Sequence, residues 1–131
     1  MAWVEIFAVF FVCHLVGDYL LQTDWQARNK RGGLGRDPLA RRALVSHIAS
    51  YALAFVPALV WLADEIDAAA AVGIGALIAV PHLIQDDGRA LTAYIRRVKG
   101  DTALTERSVA AAADQSFHVL ALFLTALLAA S

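Results

Sequence analysis

The sequence is short of cysteine and of charge. Of its 131 residues only one is a cysteine, Cys13, which excludes an intramolecular disulfide and a cysteine-rich zinc site. Charged residues make up 18% of the chain and the net charge is −1. The chain therefore lacks the excess of basic residues typical of a nucleic-acid-binding domain, and we expect no nucleic-acid partner. The chain also has no P-loop, dinucleotide fingerprint, nucleophile elbow or HExxH motif, which disfavours the enzyme classes that depend on them.

Apolar residues are what the chain has in excess. They make up 60% of the sequence, and the mean hydropathy is +0.59. A membrane-spanning helix needs about 20 mostly apolar residues, and four segments meet that requirement: 3–22, 43–62, 68–85 and 109–130. We therefore predict an all-α, integral membrane four-helix bundle, with residues 1–131 forming a single four-span transmembrane domain. The first segment lacks a basic n-region and a cleavage site, so we expect it to be retained.

The basic residues indicate an orientation. All 11 lie in two segments, 28–42 and 89–107, which connect spans one to two and three to four. The positive-inside rule then places both segments in the cytoplasm and both termini outside. Topology alone explains this pattern, but basic side chains there would also attract anionic lipid head groups or a phosphate-bearing substrate. The residues concerned are Arg28, Lys30, Arg31, Arg36, Arg96, Arg97 and Lys99.

Each predicted span contains one histidine, and three of these histidines have an aspartate four residues away. Four residues correspond to about 400° of helix, so each pair shares a helix face. In every pair the carboxylate lies nearer the cytoplasmic end than the imidazole, which places the set in one layer of the bundle. The set comprises His14, Asp18, His47, His82, Asp86, Asp114 and His118.

Ionisable groups inside a membrane are costly unless they pair, line water or bind an ion. Imidazole and carboxylate are the usual ligands of zinc, manganese and iron, so all seven residues are candidate ligands of one divalent metal or of two. The carboxylates of Asp18, Asp86 and Asp114 are also the candidate catalytic groups. A metal-free proton relay and simple hydrogen bonding between helices remain alternatives.

The first motif, residues 14–22, has the form H-x-x-G-D-x-x-L-Q, and the last motif is Asp114-Gln115-x-x-His118. With the lone His47 and the His82–Asp86 pair, these motifs resemble DUF3307, a family of small bacterial inner-membrane proteins of unknown function. The resemblance implies a multi-pass protein of the bacterial inner membrane. In residue types and helical placement the pattern is also similar to that of membrane-bound metal-dependent hydrolases.

Three functions follow from these residues. A metal-dependent hydrolase acting on a phospholipid or polyprenyl phosphate would use the metal to activate water. A cation or proton transporter would use the same residues as a path, but the outer halves of the spans are apolar and four helices would require a homo-oligomer. A non-catalytic, metal-stabilised membrane module would need only a closed site. The sequence leaves open whether the protein is an enzyme.

Overall fold

The computed structural model describes residues 1–131 and contains helices without any strand. The helices follow one another through short connections, and one π-helical turn, Val16–Leu20, extends the first of them. Their bounds are α1 Trp3–Leu15, α2 Asp24–Asn29, α3 Pro38–Ala63, α4 Ala68–Asp87, α5 Arg89–Val98, α6 Thr102–Thr105 and α7 Arg107–Ala129.

Four helical segments are long and apolar enough to cross a membrane, which confirms the predicted fold class. They are Trp3–Leu20, Pro38–Ala63, Ala68–Asp87 and Arg107–Ala129. α1 packs between α3 and α7, and α4 packs between the same two helices, whereas the backbones of the diagonal pairs do not approach each other closely. The four helices therefore form a closed ring around one interior, into which all four can direct side chains.

The bundle interior is divided into two layers. One layer, the apolar core, consists of Ile6, Phe10, Tyr51, Phe55, Ala58, Leu62, Ile74, Ile78, Leu122 and Ala126. The other, the polar layer, contains the buried side chains of His14, Asp18, His47, His82, Asp86 and His118. The polar layer lies toward the end of the bundle that carries the segments 28–42 and 89–107, here called the basic end.

A short amphipathic helix covers part of the basic end. Gly88 ends α4 with a φ of 81°, a left-handed conformation that glycine adopts without a steric penalty. The chain turns there into α5, whose Leu91 and Ile95 pack against Ala113 of α7. This packing fixes α5 beside the polar layer and leaves its arginines exposed.

Candidate metal centre

Asp18 is brought into the bundle by the π-helical turn. The turn is closed by the Leu21 N–H, which donates to the Val16 carbonyl oxygen at 2.9 Å. Its Gly17 lies directly against α3, where a Cβ would meet Tyr51 Cδ2 at 2.5 Å and Tyr51 Cα at 3.3 Å. Only glycine permits this approach, and the result is that the neighbouring Asp18 is 7% exposed. π-helical turns of this kind occur frequently at functional sites.

Four side chains from three segments direct one ligand atom each toward a common point. Asp18 Oδ1 lies 3.2 Å from His47 Nε2 and 3.2 Å from His82 Nε2. Asp86 Oδ2 lies 2.8 Å from His47 Nε2 and 3.1 Å from His82 Nε2. The two imidazole nitrogens are 3.2 Å apart. All four atoms lie within 4.8 Å of one another, and we call these residues the four-residue cluster.

Most of the distances within the four-residue cluster are slightly shorter than the edges of a tetrahedral metal site. Five of the six ligand-to-ligand distances fall between 2.8 and 3.2 Å. A regular tetrahedron whose corners lie about 2.0–2.1 Å from its centre, as nitrogen and oxygen ligands do from zinc, has edges of about 3.3–3.4 Å. A small outward relaxation of the side chains would accommodate a divalent ion.

Hydrogen bonding within the protein leaves this cluster incompletely satisfied. Asp18 Oδ1 has no hydrogen-bond partner although two imidazole nitrogens are close to it, and the Nδ1 atoms of His47 and His82 have none either. Buried polar atoms without partners are costly, and buried carboxylates more so. A cation at the common point would interact favourably with all four converging atoms. The two Nδ1 atoms would still lack the protein acceptors that usually orient metal-binding histidines.

Lys30 belongs to this site as well. Its Nζ donates a hydrogen bond to Asp86 Oδ2 at 2.8 Å, and its side chain is only 13% exposed. In the sequence, Lys30 is recognisable only as one of the basic residues of a connecting segment. Spacing offers no signal for the pair, because 56 positions separate the two residues along the chain.

The segment that carries Lys30 is held in place by the end of α4. The Gly32 N–H donates to the Asp87 carbonyl oxygen at 2.9 Å, and the Leu34 N–H donates to Asp87 Oδ1 at 2.8 Å. Asp87 thus anchors a connecting segment, while Asp86, the residue before it, belongs to the four-residue cluster. This arrangement fixes the lysine ammonium next to a buried carboxylate.

Replacing Lys30 with glutamine is expected to lower the free energy of unfolding of the metal-free protein by about 1–3 kcal/mol, because buried Asp86 loses its charged donor. With a divalent metal bound the loss should shrink, since the metal neutralises the same carboxylate. Arg28→Gln is the control: its ion pair with Asp24 is 76% and 75% exposed and should contribute little. Chemical denaturation in detergent, with and without a chelator, measures all of these values. Equal losses in the two variants would contradict the role given to Lys30.

His14 lies in the polar layer, but both of its ring nitrogens contact residues outside the four-residue cluster. Nδ1 lies 3.1 Å from the Tyr51 hydroxyl, and Nε2 lies 3.0 Å from Gln115 Oε1. Its Nδ1 is 3.8 Å from Asp18 Oδ2, so the predicted helical pair is in contact without a hydrogen bond. Tyr51 also stacks on the His82 ring, with centroids 3.5 Å apart and planes 8° from parallel. These contacts hold His14 and His82 in place.

His118 is positioned with one free ring nitrogen. Its Nδ1 lies 2.8 Å from the backbone carbonyl oxygen of Asp114, which can only accept, so Nδ1 carries the proton. In neutral His118, Nε2 then presents a lone pair; it has no hydrogen-bond partner and lies 3.5 Å from Asp86 Oδ1. The carboxylate of Asp114 lies farther out, with Oδ1 3.9 Å from His118 Nδ1 and 22% of the side chain exposed.

The structure thus places the seven predicted site residues in one connected network, in two groups. Asp18, His47, His82 and Asp86 converge on one point. His14, Asp114 and His118 border that group without contributing a ligand atom to it, and Lys30 completes the site.

Taken together, the fold and this site define a protein with a bundle of four membrane-like helices and a buried His/Asp cluster able to hold a metal ion. The chain belongs to the family described as protein of unknown function (DUF3307), whose model matches residues 6–131. The predicted family is therefore confirmed over nearly the whole chain. No curated protein and no solved structure matches the chain.

Proposed function

We propose that the four-residue cluster binds one divalent metal ion and that the protein is a membrane-embedded, metal-dependent hydrolase. The observation that carries the proposal is the convergence of Asp18 Oδ1, Asp86 Oδ2 and the Nε2 atoms of His47 and His82, all within 4.8 Å of one another. Two imidazoles and two carboxylates suit zinc, with iron and manganese as further candidates. The ion would polarise the bond to be cleaved and activate water for attack.

His118 is the proposed general base. Its Nε2 has no hydrogen-bond partner and faces Asp86. The carbonyl oxygen of Asp114 keeps the proton of the neutral ring on Nδ1, so Nε2 can accept a proton. In hydrolysis of a phosphate ester, the water oxygen bonds to phosphorus and the ester P–O bond breaks. The proton lost by water passes to His118 Nε2 and then to the leaving alkoxide. The Asp114 carboxylate lies close enough to favour the imidazolium formed in between.

The substrate class is an anionic lipid, such as a phospholipid or polyprenyl phosphate. Supporting this is a cavity of about 280 Å³ beside Asp114, whose walls are mainly the apolar side chains of Leu91, Tyr94 and Phe117 together with Ala90. Such a cavity suits a hydrocarbon segment next to the proposed reaction centre. We further propose that the basic end faces the cytoplasm of a bacterial inner membrane, because it carries all 11 basic residues.

Turnover of a panel of lipid phosphates in mixed micelles, with zinc, manganese or iron(II) added to chelated protein, tests the function. We expect metal-dependent release of phosphate or of a phosphorylated head group. His118→Gln should lower the rate at least about hundredfold, the range of general base catalysis, while the bound metal is retained. Turnover that persists in His118→Gln would contradict the proposed base, and turnover without metal would contradict the proposed mechanism.

A second candidate function is a non-catalytic module stabilised by its metal. Its supporting observation is that all four ligand atoms come from the protein, from residues that are between 0% and 7% exposed. A closed set of protein ligands is typical of structural zinc sites, whereas catalytic sites keep one position open. A large metal-dependent rise in thermal stability, with no turnover of any lipid phosphate, would favour this candidate.

A further inference from the structure

A second, separate cavity lies at the basic end, between the segment that follows Lys30 and the start of α5. Its volume is about 420 Å³, and three arginines, Arg31, Arg89 and Arg96, line it. The only acidic residue in its wall is Asp87. None of the residues of the four-residue cluster lines this cavity, so it is distinct from the candidate metal centre.

The cavity carries unbalanced positive charge. Arg89 is paired with Asp87, its Nε lying 2.6 Å from Asp87 Oδ2. Arg31 has no carboxylate partner and lies over Gly88, where a Cβ would be 3.5 Å from both its Cγ and its Nη1. Arg96 is paired only loosely, its Nε being 3.7 Å from Asp101 Oδ1 with both side chains exposed. Three guanidinium groups against one lining carboxylate leave two positive charges.

The backbone adds to this field. α5 begins at the cavity wall, and its N-cap, Gly88, has no capping side chain. Of its first-turn N–H groups, that of Arg89 already faces the Asp87 carboxylate. The first turn of a helix presents free N–H donors and a partial positive charge. Guanidinium groups bind phosphate through paired, charge-assisted hydrogen bonds. The cavity therefore combines the donors and the charge that a dianionic phosphate requires.

We propose that this arginine cavity binds a phosphate monoester, either as a lipid head group or as free phosphate. A monoester carries about two negative charges near pH 7, which matches the charge left uncompensated in the cavity, whereas a phosphodiester carries only one. The inference goes beyond the proposed hydrolysis and stands whether or not the metal centre is catalytic.

A positive-inside bias alone predicts something different. Basic residues that serve only topology attract every anionic lipid in proportion to its charge, and each basic residue contributes similarly. A built site instead distinguishes a monoester from a diester and depends on particular arginines. Arg97 provides the comparison, since it neighbours Arg96 in α5, is exposed, and does not line the cavity.

Calorimetric titration of the detergent-solubilised, metal-free protein tests the proposal. The ligands are short-chain phosphatidic acid, short-chain phosphatidylglycerol and inorganic phosphate. Arg31→Gln and Arg96→Gln should each weaken phosphatidic acid binding about tenfold, the effect of losing one charge-assisted hydrogen bond. Arg97→Gln should leave the affinity within about twofold, since an exposed charge outside the site contributes little.

The outcomes separate the two sources of the phosphate. Tighter binding of phosphatidic acid than of inorganic phosphate supports a lipid head group, whereas equal affinities with mutual competition support free phosphate. Equal binding of phosphatidic acid and phosphatidylglycerol, or an equal loss in Arg97→Gln, would overturn the proposal. Because the protein is metal-free and no turnover is measured, failure here leaves the proposed hydrolase function intact, and the reverse also holds.

Discussion

Asp86→Asn is expected to reduce zinc affinity at least about hundredfold, since even outer partners of metal ligands contribute about 10–100-fold. Asp86 Oδ2 is the closest carboxylate oxygen to both imidazoles, at 2.8 Å from His47 Nε2 and 3.1 Å from His82 Nε2. Asparagine preserves the size of the side chain but replaces a charged ligand with a neutral amide. Zinc titration against a competing chelator in detergent measures the affinity.

Asp114→Asn is the matched control. It makes the same chemical change one helix away, but Asp114 contributes no atom to the four-residue cluster and is 22% exposed in its side chain. We expect this variant to bind zinc nearly as the wild type does. Equal losses in both variants would show that the metal is held by the wider set of seven residues. A folded wild type that binds no metal would remove the metal centre and leave a hydrogen-bonded or proton-relay network.

Gly17→Ala is expected to lower the free energy of unfolding by about 1–3 kcal/mol, the usual cost of overpacking, and to weaken metal binding. An added Cβ would meet Tyr51 Cδ2 at 2.5 Å and the Tyr51 Cα at 3.3 Å. A rotation of the tyrosine ring relieves only the first contact, so the π-helical turn must move away from α3. That movement withdraws Asp18 from His47 and His82.

Gly73→Ala provides the comparison, because nothing lies within 4 Å of a Cβ placed on Gly73, in the first half of α4. Alanine in a helix interior is favoured over glycine by about 0.5–1 kcal/mol, so this variant should be as stable as the wild type or slightly more stable. Denaturation in detergent and zinc titration are measured on both variants. A Gly17→Ala protein of wild-type stability and zinc affinity would show that the close approach to Tyr51 does not position the site.

Much of the fold could be predicted from hydropathy and helix-capping chemistry. Asp37 accepts a hydrogen bond from the Leu39 N–H at 2.9 Å and precedes Pro38, the first residue of α3. Asp67 accepts one from the Ala70 N–H at the start of α4. The lengths of the apolar segments predict the four spans, because a chain that crosses lipid must satisfy its backbone groups internally and a helix of that length does so. The side of the membrane that each end faces stays a prediction.

The site was harder to predict because its geometry departs from an ideal helix. The four-residue spacing predicts that His14 and Asp18 pair, but the π-helical turn redirects Asp18 Oδ1 toward His47 and His82. The contact of Lys30 with Asp86 arises from the folding of a connecting segment, and such a segment has no helical periodicity from which the contact could be predicted. Helical spacing gives the face on which a residue lies but not which neighbouring helix it meets.

The division of the interior into an apolar core and a polar layer also sets the electrical position of the candidate metal centre. From Ala68 to His82, α4 rises about 21 Å, which is about two-thirds of a hydrocarbon layer ~30 Å thick. A transmembrane voltage falls mainly across such a region, and one charge crossing 100 mV gains or loses about 2.3 kcal/mol. An ion that enters from the basic end would cross the remaining third of this voltage drop, which for a divalent ion amounts to about 1.5 kcal/mol per 100 mV. Occupancy of the centre would then depend on the ion concentration at that end and on about a third of the membrane voltage.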